Sequence, residues 1–243
     1  AELLLKGPLG SRSWPLPPLP SGVSPALISY VTSSLLGMKP LVLATGLYQM
    51  PPFPHLRFET PSLGPAACLS TGQAMHLKRV ETLWEKGLLM GLKSSKPLLI
   101  AECVPGGTTT AQAVLMGLDL SVSDLISGSV INPPFAIKKE LVESGLRAAK
   151  LGNMPSARKL LAAVGDPFQP VAVGLLLGTR KAGQQVLLGG GCQMLAVLAL
   201  ALLELKASSR ESFVEGVVLG TTSWLVEEVF SKHERKSSLV ELI

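Results

Sequence analysis

The sequence predicts an α/β fold, a parallel sheet flanked by helices in a Rossmann-like three-layer arrangement, and three observations lead there. Apolar, strand-like runs stop four times at a turn of small residues and restart as helix-like runs: Leu98–Ala101, Leu160–Val164, Val186–Leu188 and Val217–Leu219. These runs are continuous rather than alternating, which suits strands buried on both faces of a parallel sheet. The 243 residues are 47% hydrophobic and only 16% charged, so the chain is not disordered and can fill a sizeable core.

Taken in order, the segment from Trp14 to Pro20 is rich in proline, extended and unable to be helical. Ser24-Pro25 then sets a capping hydroxyl before a proline at the first helical position, the signature of a helix start. Pro40 to Ala44 reads as a short buried strand ending at Thr45-Gly46, and Tyr48 to Pro65 as a proline-crowded loop. From Thr71-Gly72-Gln73-Ala74-Met75 an amphipathic stretch opens, with Met75, Val80, Leu83 and Trp84 on its buried face and Lys78, Arg79, Glu81 and Glu85 toward solvent. A low-complexity patch covers Ser121 to Pro134, and a helix over Ala136 to Ala149 carries Lys138, Lys139, Glu140, Glu143 and Arg147. Helices follow the later turns at Val171–Leu177, Cys192–Leu205 and Trp224–Phe230.

Val186 to Leu203 lacks any charged residue and approaches the length of a spanning helix, roughly 20 residues. Gly189, Gly190, Gly191 and Gln193 divide it into a strand, a turn and a buried helix, so no membrane partner is expected. The amino terminus, which begins at Ala1, lacks the pattern of a secretory signal. Cys68, Cys103 and Cys192 are too scattered for a disulfide framework or a zinc site and fit a reducing cytoplasm. His55, His76 and His233 have no metal-ligand spacing. A net charge of +5 favours anionic ligands, but without a basic stripe interleaved with aromatics nucleic acid is not expected. The dinucleotide, nucleoside-triphosphate and hydrolase signatures GxGxxG, GxxxxGK[ST] and GxSxG are missing.

The sharpest turn is Glu102-Cys103-Val104-Pro105-Gly106-Gly107-Thr108-Thr109-Thr110, between a strand and a helix. Glycines let the backbone approach a ligand, threonines cap, and the first N–H groups of the helix point at an anion. The turn reads either as a phosphate site or as a tight turn with a threonine cap. In a parallel sheet the ligand sits at the carboxyl ends of the strands, where several such turns gather.

Three blocks, Glu102 to Ala111, Val164-Gly165-Asp166-Pro167-Phe168-Gln169-Pro170 and Val186 to Met194, resemble the nicotinate-nucleotide:dimethylbenzimidazole phosphoribosyltransferase family. The similarity is greatest to its poorly characterised archaeal and cyanobacterial branch and runs from Leu3 to about Trp224. The resemblance implies transfer of phosphoribose from nicotinate mononucleotide to a benzimidazole-type base, giving an α-ribazole phosphate for the lower ligand of cobamides. It further implies a cytoplasmic homodimer with no cofactor or metal. A single α/β domain over residues 1–243 is expected, with residues 1–40 and any continuation beyond 243 adding to a small helical lobe.

Carried over residue by residue, the resemblance makes Gly106, Gly107, Thr108 and Thr109 the phosphate turn. Glu102 becomes the catalytic carboxylate, stabilising an oxocarbenium-like ribose or taking the proton from the incoming nitrogen, or else a structural carboxylate bonded to loop N–H groups. Lys138 aligns with a lysine that orients the nicotinate carboxylate, although a Lys-Lys-Glu run also suits a solvated helix face. Asp166 caps a helix or accepts from ribose hydroxyls. Gly189, Gly190 and Gly191 match a second glycine turn where many members carry an Asp-Gly pair. Gln193 supplies an amide to the substrate or bonds to backbone at a buried helix start. The family's Gly-Glu-Gly segment with its general base, and its amino-terminal lysine, proline and glycine motif, have no counterpart here. Two readings follow: the sequence is a piece of a longer protein, or the scaffold binds a nucleotide without catalysis.

Overall fold

The computed structural model describes residues 2–14, 24–122, 126, 134–152 and 155–223. The chain divides into two compact units, Ala1–Pro65 and Ala66–Ile243.

In the first unit, helix α1 (Glu2–Lys6) is tied down by its own acid. The Glu2 carboxylate pairs with Lys6 at 3.0 Å and accepts the amides of Ser13 and Trp14. Helix α2 (Pro25–Leu35) starts as the sequence predicts, with Ser24 Oγ accepting from the Ala26 amide at 3.3 Å and Pro25 in the first turn. The strand expected over Pro40–Ala44 shortens to β1 (Leu43–Ala44), paired in parallel with β2 (Leu56–Arg57) from within the predicted loop. Pro40 offers no N–H to a ladder, and Leu41 faces solvent. Of the proline-rich segment, Pro15 to Pro20 lie outside the described residues.

The second unit runs α3 (Leu77–Leu92), β3 (Leu98–Ala101), α4 (Gly107–Gly117), α5 (Phe135–Ala149), α6 (Ala157–Val164), α7 (Phe168–Lys181), β4 (Val186–Gly189), α8 (Cys192–Leu203), α9 (Ala207–Val214) and β5 (Val217–Gly220). The three strands form one parallel sheet in the order β3-β4-β5, in a register that aligns Ala101, Gly189 and Gly220 at the carboxyl ends. The fold is thus α/β with small parallel sheets and many helices. The turns after β3 and β4 lead directly into α4 and α8. The uncharged run from Val186 is divided as expected, and no helix among the described residues is long and apolar enough to cross a membrane.

Leu160–Val164 is a correction, because it belongs to helix α6 and not to a strand. Ala157, Leu160, Leu161 and Val164 are all fully buried, a spacing of three and four residues that makes one helical face. Ser156 caps that helix, its Oγ accepting from the Lys159 amide at 3.4 Å. The expectation of strands buried on both faces is also corrected. Ile100, Val186 and Leu188 are buried, whereas their neighbours Leu99, Leu187 and Val218, aligned across the sheet, are 44%, 36% and 60% exposed. Most of the Ser121–Pro134 patch and the Trp224–Phe230 helix lie outside the described residues.

Met75, just before α3, and Val80, Leu83 and Trp84 within it are buried as the amphipathic pattern predicts, and Arg158 stacks over Trp84 at 4.4 Å. What the sequence reading missed is how closely α3 meets α7. A Cβ on Gly87 would stand 2.3 Å from the Val171 carbonyl, and one on Gly174 would stand 2.2 Å from the Trp84 carbonyl. Gly91 and Gly178 repeat the arrangement one turn later, so the two backbones touch where any side chain would hold them apart.

Candidate functional site

The site is assembled from the ends of β3 and β4 and the first turns of α4, α7 and α8. Gly106 has φ +74° with open space around its Cα, so the left-handed conformation itself calls for glycine there. Its carbonyl accepts the amides of Thr109 at 2.9 Å and Thr110 at 3.4 Å, and the Val104 carbonyl accepts that of Gly107. The Thr108 amide has no acceptor among the described residues, as is usual in the first turn of a helix. Gly107 is buried against a different partner, since a Cβ on it would come 2.7 Å from Gln193 Nε2.

Behind this turn lies a buried polar network. Asp166 is 5% exposed, and both of its oxygens are occupied. Oδ1 accepts the amides of Phe168 at 3.0 Å and Gln169 at 3.2 Å. Oδ2 accepts the Thr110 hydroxyl at 2.5 Å and Gln193 Nε2 at 2.8 Å. Gln169 returns the cap, its Oε1 accepting from the Asp166 amide at 3.1 Å, which completes a reciprocal capping box. Gln169 Nε2 donates to Gln193 Oε1 at 2.9 Å, so each amide is oriented by the next. Capping, one of the two expectations for Asp166, is therefore seen; Gln193 bonds to side chains of other helices and not to backbone.

Glu102 follows β3 and is exposed at the strand end. Its carboxylate accepts the Val104 amide at 2.5 Å, the bonding expected of a structural carboxylate. Displacement of its water raises its pKa, the Val104 bond opposes that, and the nearby charge of Asp166 raises it further. Asp166 is raised as well, by burial first, against the four hydrogen bonds it accepts.

Lys138 is not on a solvated face. It is 5% exposed, its Nζ donates to the Ile126 carbonyl at 3.2 Å, and burial pushes its pKa down. Lys139, beside it, is the residue that faces solvent. Cys192, the first residue of α8, lies within electrostatic reach of both Lys138 and Glu102; burial lifts its thiol to about 11, with Lys138 opposing. Gly189 ends β4, Gly190 and Gly191 lead from it into α8, and the Gly190 amide donates to the Gly220 carbonyl at 2.9 Å. The structure thus brings Glu102, the Gly106–Thr109 turn, Lys138, Asp166, the Gly189–Gly191 turn and Gln193 to one end of the sheet.

Thr110 and Gln169 are the participants missed in the sequence, although Asp166-Pro167-Phe168-Gln169 carries the spacing of a capping box. Among the described residues no group of acidic, histidine or cysteine side chains is placed to hold a metal ion. A cavity of about 630 Å³ lies along α5, lined by Lys139, Glu140, Glu143, Ser144 and Arg147 among others, and includes none of the predicted site residues.

Comparison of the coordinates with solved structures gives a match to CobT from Thermus thermophilus, with a TM-score of 0.67 and 17% identity, covering 95% of this chain and 64% of that one. The chain has the fold of CobT. A second structure from Thermus thermophilus, described as nicotinate-nucleotide-dimethylbenzimidazole phosphoribosyltransferase, matches with a TM-score of 0.60 over 78% of this chain and 56% of that one, at 19% identity. No family model matches the chain. Its sequence relatives are cyanobacterial proteins named UPF0284. The protein from Prochlorococcus marinus strain MIT 9313 is 60% identical over all 243 residues. Those from Parasynechococcus marenigrum strain WH8102 and Cyanothece sp. strain PCC 7425 are 57% and 43% identical over 94% of the chain. The chain spans 60%, 57% and 62% of the length of these three relatives. The resemblance read from the residues is borne out as a likeness to CobT in fold and to cyanobacterial proteins in sequence.

Proposed function

We propose that the protein is a CobT-like phosphoribosyltransferase that moves phosphoribose from nicotinate mononucleotide to a benzimidazole-type base, yielding an α-ribazole phosphate. The observation that supports this most is the meeting of Glu102, the Gly106–Thr109 turn and the Gly189–Gly191 turn at the carboxyl ends of neighbouring parallel strands on a CobT fold. In this reading the 5′-phosphate sits on the α4 turn, with the Thr108 amide and the hydroxyls of Thr108 and Thr109 as donors. The bond from ribose C1′ to the nicotinate ring nitrogen breaks with its electron pair passing to that nitrogen. The base nitrogen bonds to C1′ and gives up a proton. Glu102, whose pKa is raised by loss of solvent, either takes that proton or steadies the positive charge on the ribose. Lys138 faces the nicotinate carboxylate. The same reading carries a cytoplasmic homodimer with no nucleic-acid or membrane partner and a small helical lobe from the chain ends.

A second reading, a nucleotide-binding protein without catalysis, is favoured by the bond from the Val104 amide that already holds Glu102. Incubation with nicotinate mononucleotide and 5,6-dimethylbenzimidazole separates the two. Nicotinate release that depends on the base supports transfer; saturable binding with no release supports the second reading.

A further inference from the structure

Asp166, only 5% exposed, touches three helix starts. It caps α7 through Oδ1, and through Oδ2 it holds Thr110 of α4 and Gln193 of α8. Gln193 in turn lies against Gly107, inside the turn assigned to the phosphate. The geometry points to Asp166 as a positioning residue: it latches the first turns of α4 and α8 together and so sets the shape of the Gly106–Thr109 turn without touching the ligand. This inference rests on the proposed phosphate role of that turn only for its effect on binding.

The hydrogen-bond polarity of the network supplies a selective test. In Asp166→Asn the side-chain oxygen still accepts the Phe168 and Gln169 amides, so the α7 cap survives. The new NH₂ group, however, faces the NH₂ of Gln193 in a donor-to-donor clash, and the latch opens. In the double variant Asp166→Asn/Gln193→Glu the polarity is reversed and restored. The carboxylate introduced by Gln193→Glu accepts from the new amide with one oxygen and from Gln169 Nε2 with the other, and the formal charge of the pair is unchanged. A residue that merely fills space would not be rescued by such an exchange.

The experiment measures amide hydrogen exchange at Gly107, Thr109 and Thr110 without ligand, together with calorimetric titration of inorganic phosphate, for the wild type, Asp166→Asn, the double variant and Thr110→Val. Exchange in Asp166→Asn is expected to rise roughly tenfold at these amides, with phosphate binding weaker by a similar factor, and both are expected to return toward wild type in the double variant. Thr110→Val, which removes one arm of the latch, is expected to reproduce the exchange effect if Asp166→Asn does not fold. Exchange unchanged in the single variants, or raised equally in the single and double variants, overturns the inference. Wild-type protein that binds no phosphate while the exchange pattern holds overturns the phosphate assignment and leaves the latch standing.

Discussion

Gln193 Nε2 donates to Asp166 Oδ2 at 2.8 Å, a bond between residues 27 apart in sequence that joins the start of α8 to the start of α7. Because Thr110 of α4 shares the same oxygen, three helices converge on one buried carboxylate beside the turn that reads as a phosphate site. Buried polar groups of this kind are stable only when every member is satisfied, and here both oxygens and both amides have partners.

The carboxylate gives stability a pH dependence. Burial keeps the Asp166 proton on to a higher pH in the folded protein than in the unfolded chain, and Glu102 is shifted the same way. Folding therefore takes up protons between the ordinary carboxylate pKa, about 4, and the raised folded values. The contribution is fully present below the ordinary value and is lost as pH rises through the raised ones. Melting temperature is expected to fall as pH rises through that window, and Asp166→Asn is expected to flatten the slope; parallel profiles for the two proteins would contradict the assignment.

Gly174→Ala tests the contact between α3 and α7. Alanine is the better helix former by about 1 kcal/mol, yet its Cβ would stand 2.2 Å from the backbone carbonyl of Trp84, which has no flexible end to move aside. A net destabilisation of about 1–3 kcal/mol in chemical denaturation is expected. Gly152→Ala, with nothing within 4 Å of its Cβ, is expected to be neutral or stabilising by up to about 1 kcal/mol.

Lys138→Met keeps the apolar stem and removes the charge. Burying an ammonium is costly, so stability is expected to stay within about 1 kcal/mol of wild type even though the bond to the Ile126 carbonyl is lost. If Lys138 recognises the nicotinate carboxylate, preference for nicotinate mononucleotide over nicotinamide mononucleotide falls about tenfold, equivalent to ~1.4 kcal/mol. Calorimetric titration with both nucleotides measures the ratio, and an unchanged ratio removes Lys138 from the site.

What was legible in the sequence was the set of strands bounded by small residues. Leu98–Ala101, Val186–Gly189 and Val217–Gly220 each combine a continuous apolar run with an abrupt small-residue stop, and all three are strands. Leu160–Val164 has the same look, but a five-residue apolar run does not distinguish a strand from a helix face; the deciding residues, Ser156 and Ala157, lie before it. The glycine turns and Glu102 stand out because their residue types are unusual beside a strand. Lys138 does not stand out, because only the packing of α5 shows which of two adjacent lysines is buried. The partnership of Gly87 and Gly91 with Gly174 and Gly178 is likewise invisible until two distant helices are placed side by side.

The most direct test of the central claim, that the Gly106–Thr109 turn holds the phosphate of nicotinate mononucleotide, is a calorimetric titration of the protein with that nucleotide, repeated in the presence of inorganic phosphate. Saturable binding that phosphate weakens by competition is the predicted result. Either no binding by the folded protein, or binding that phosphate leaves unchanged, would contradict it.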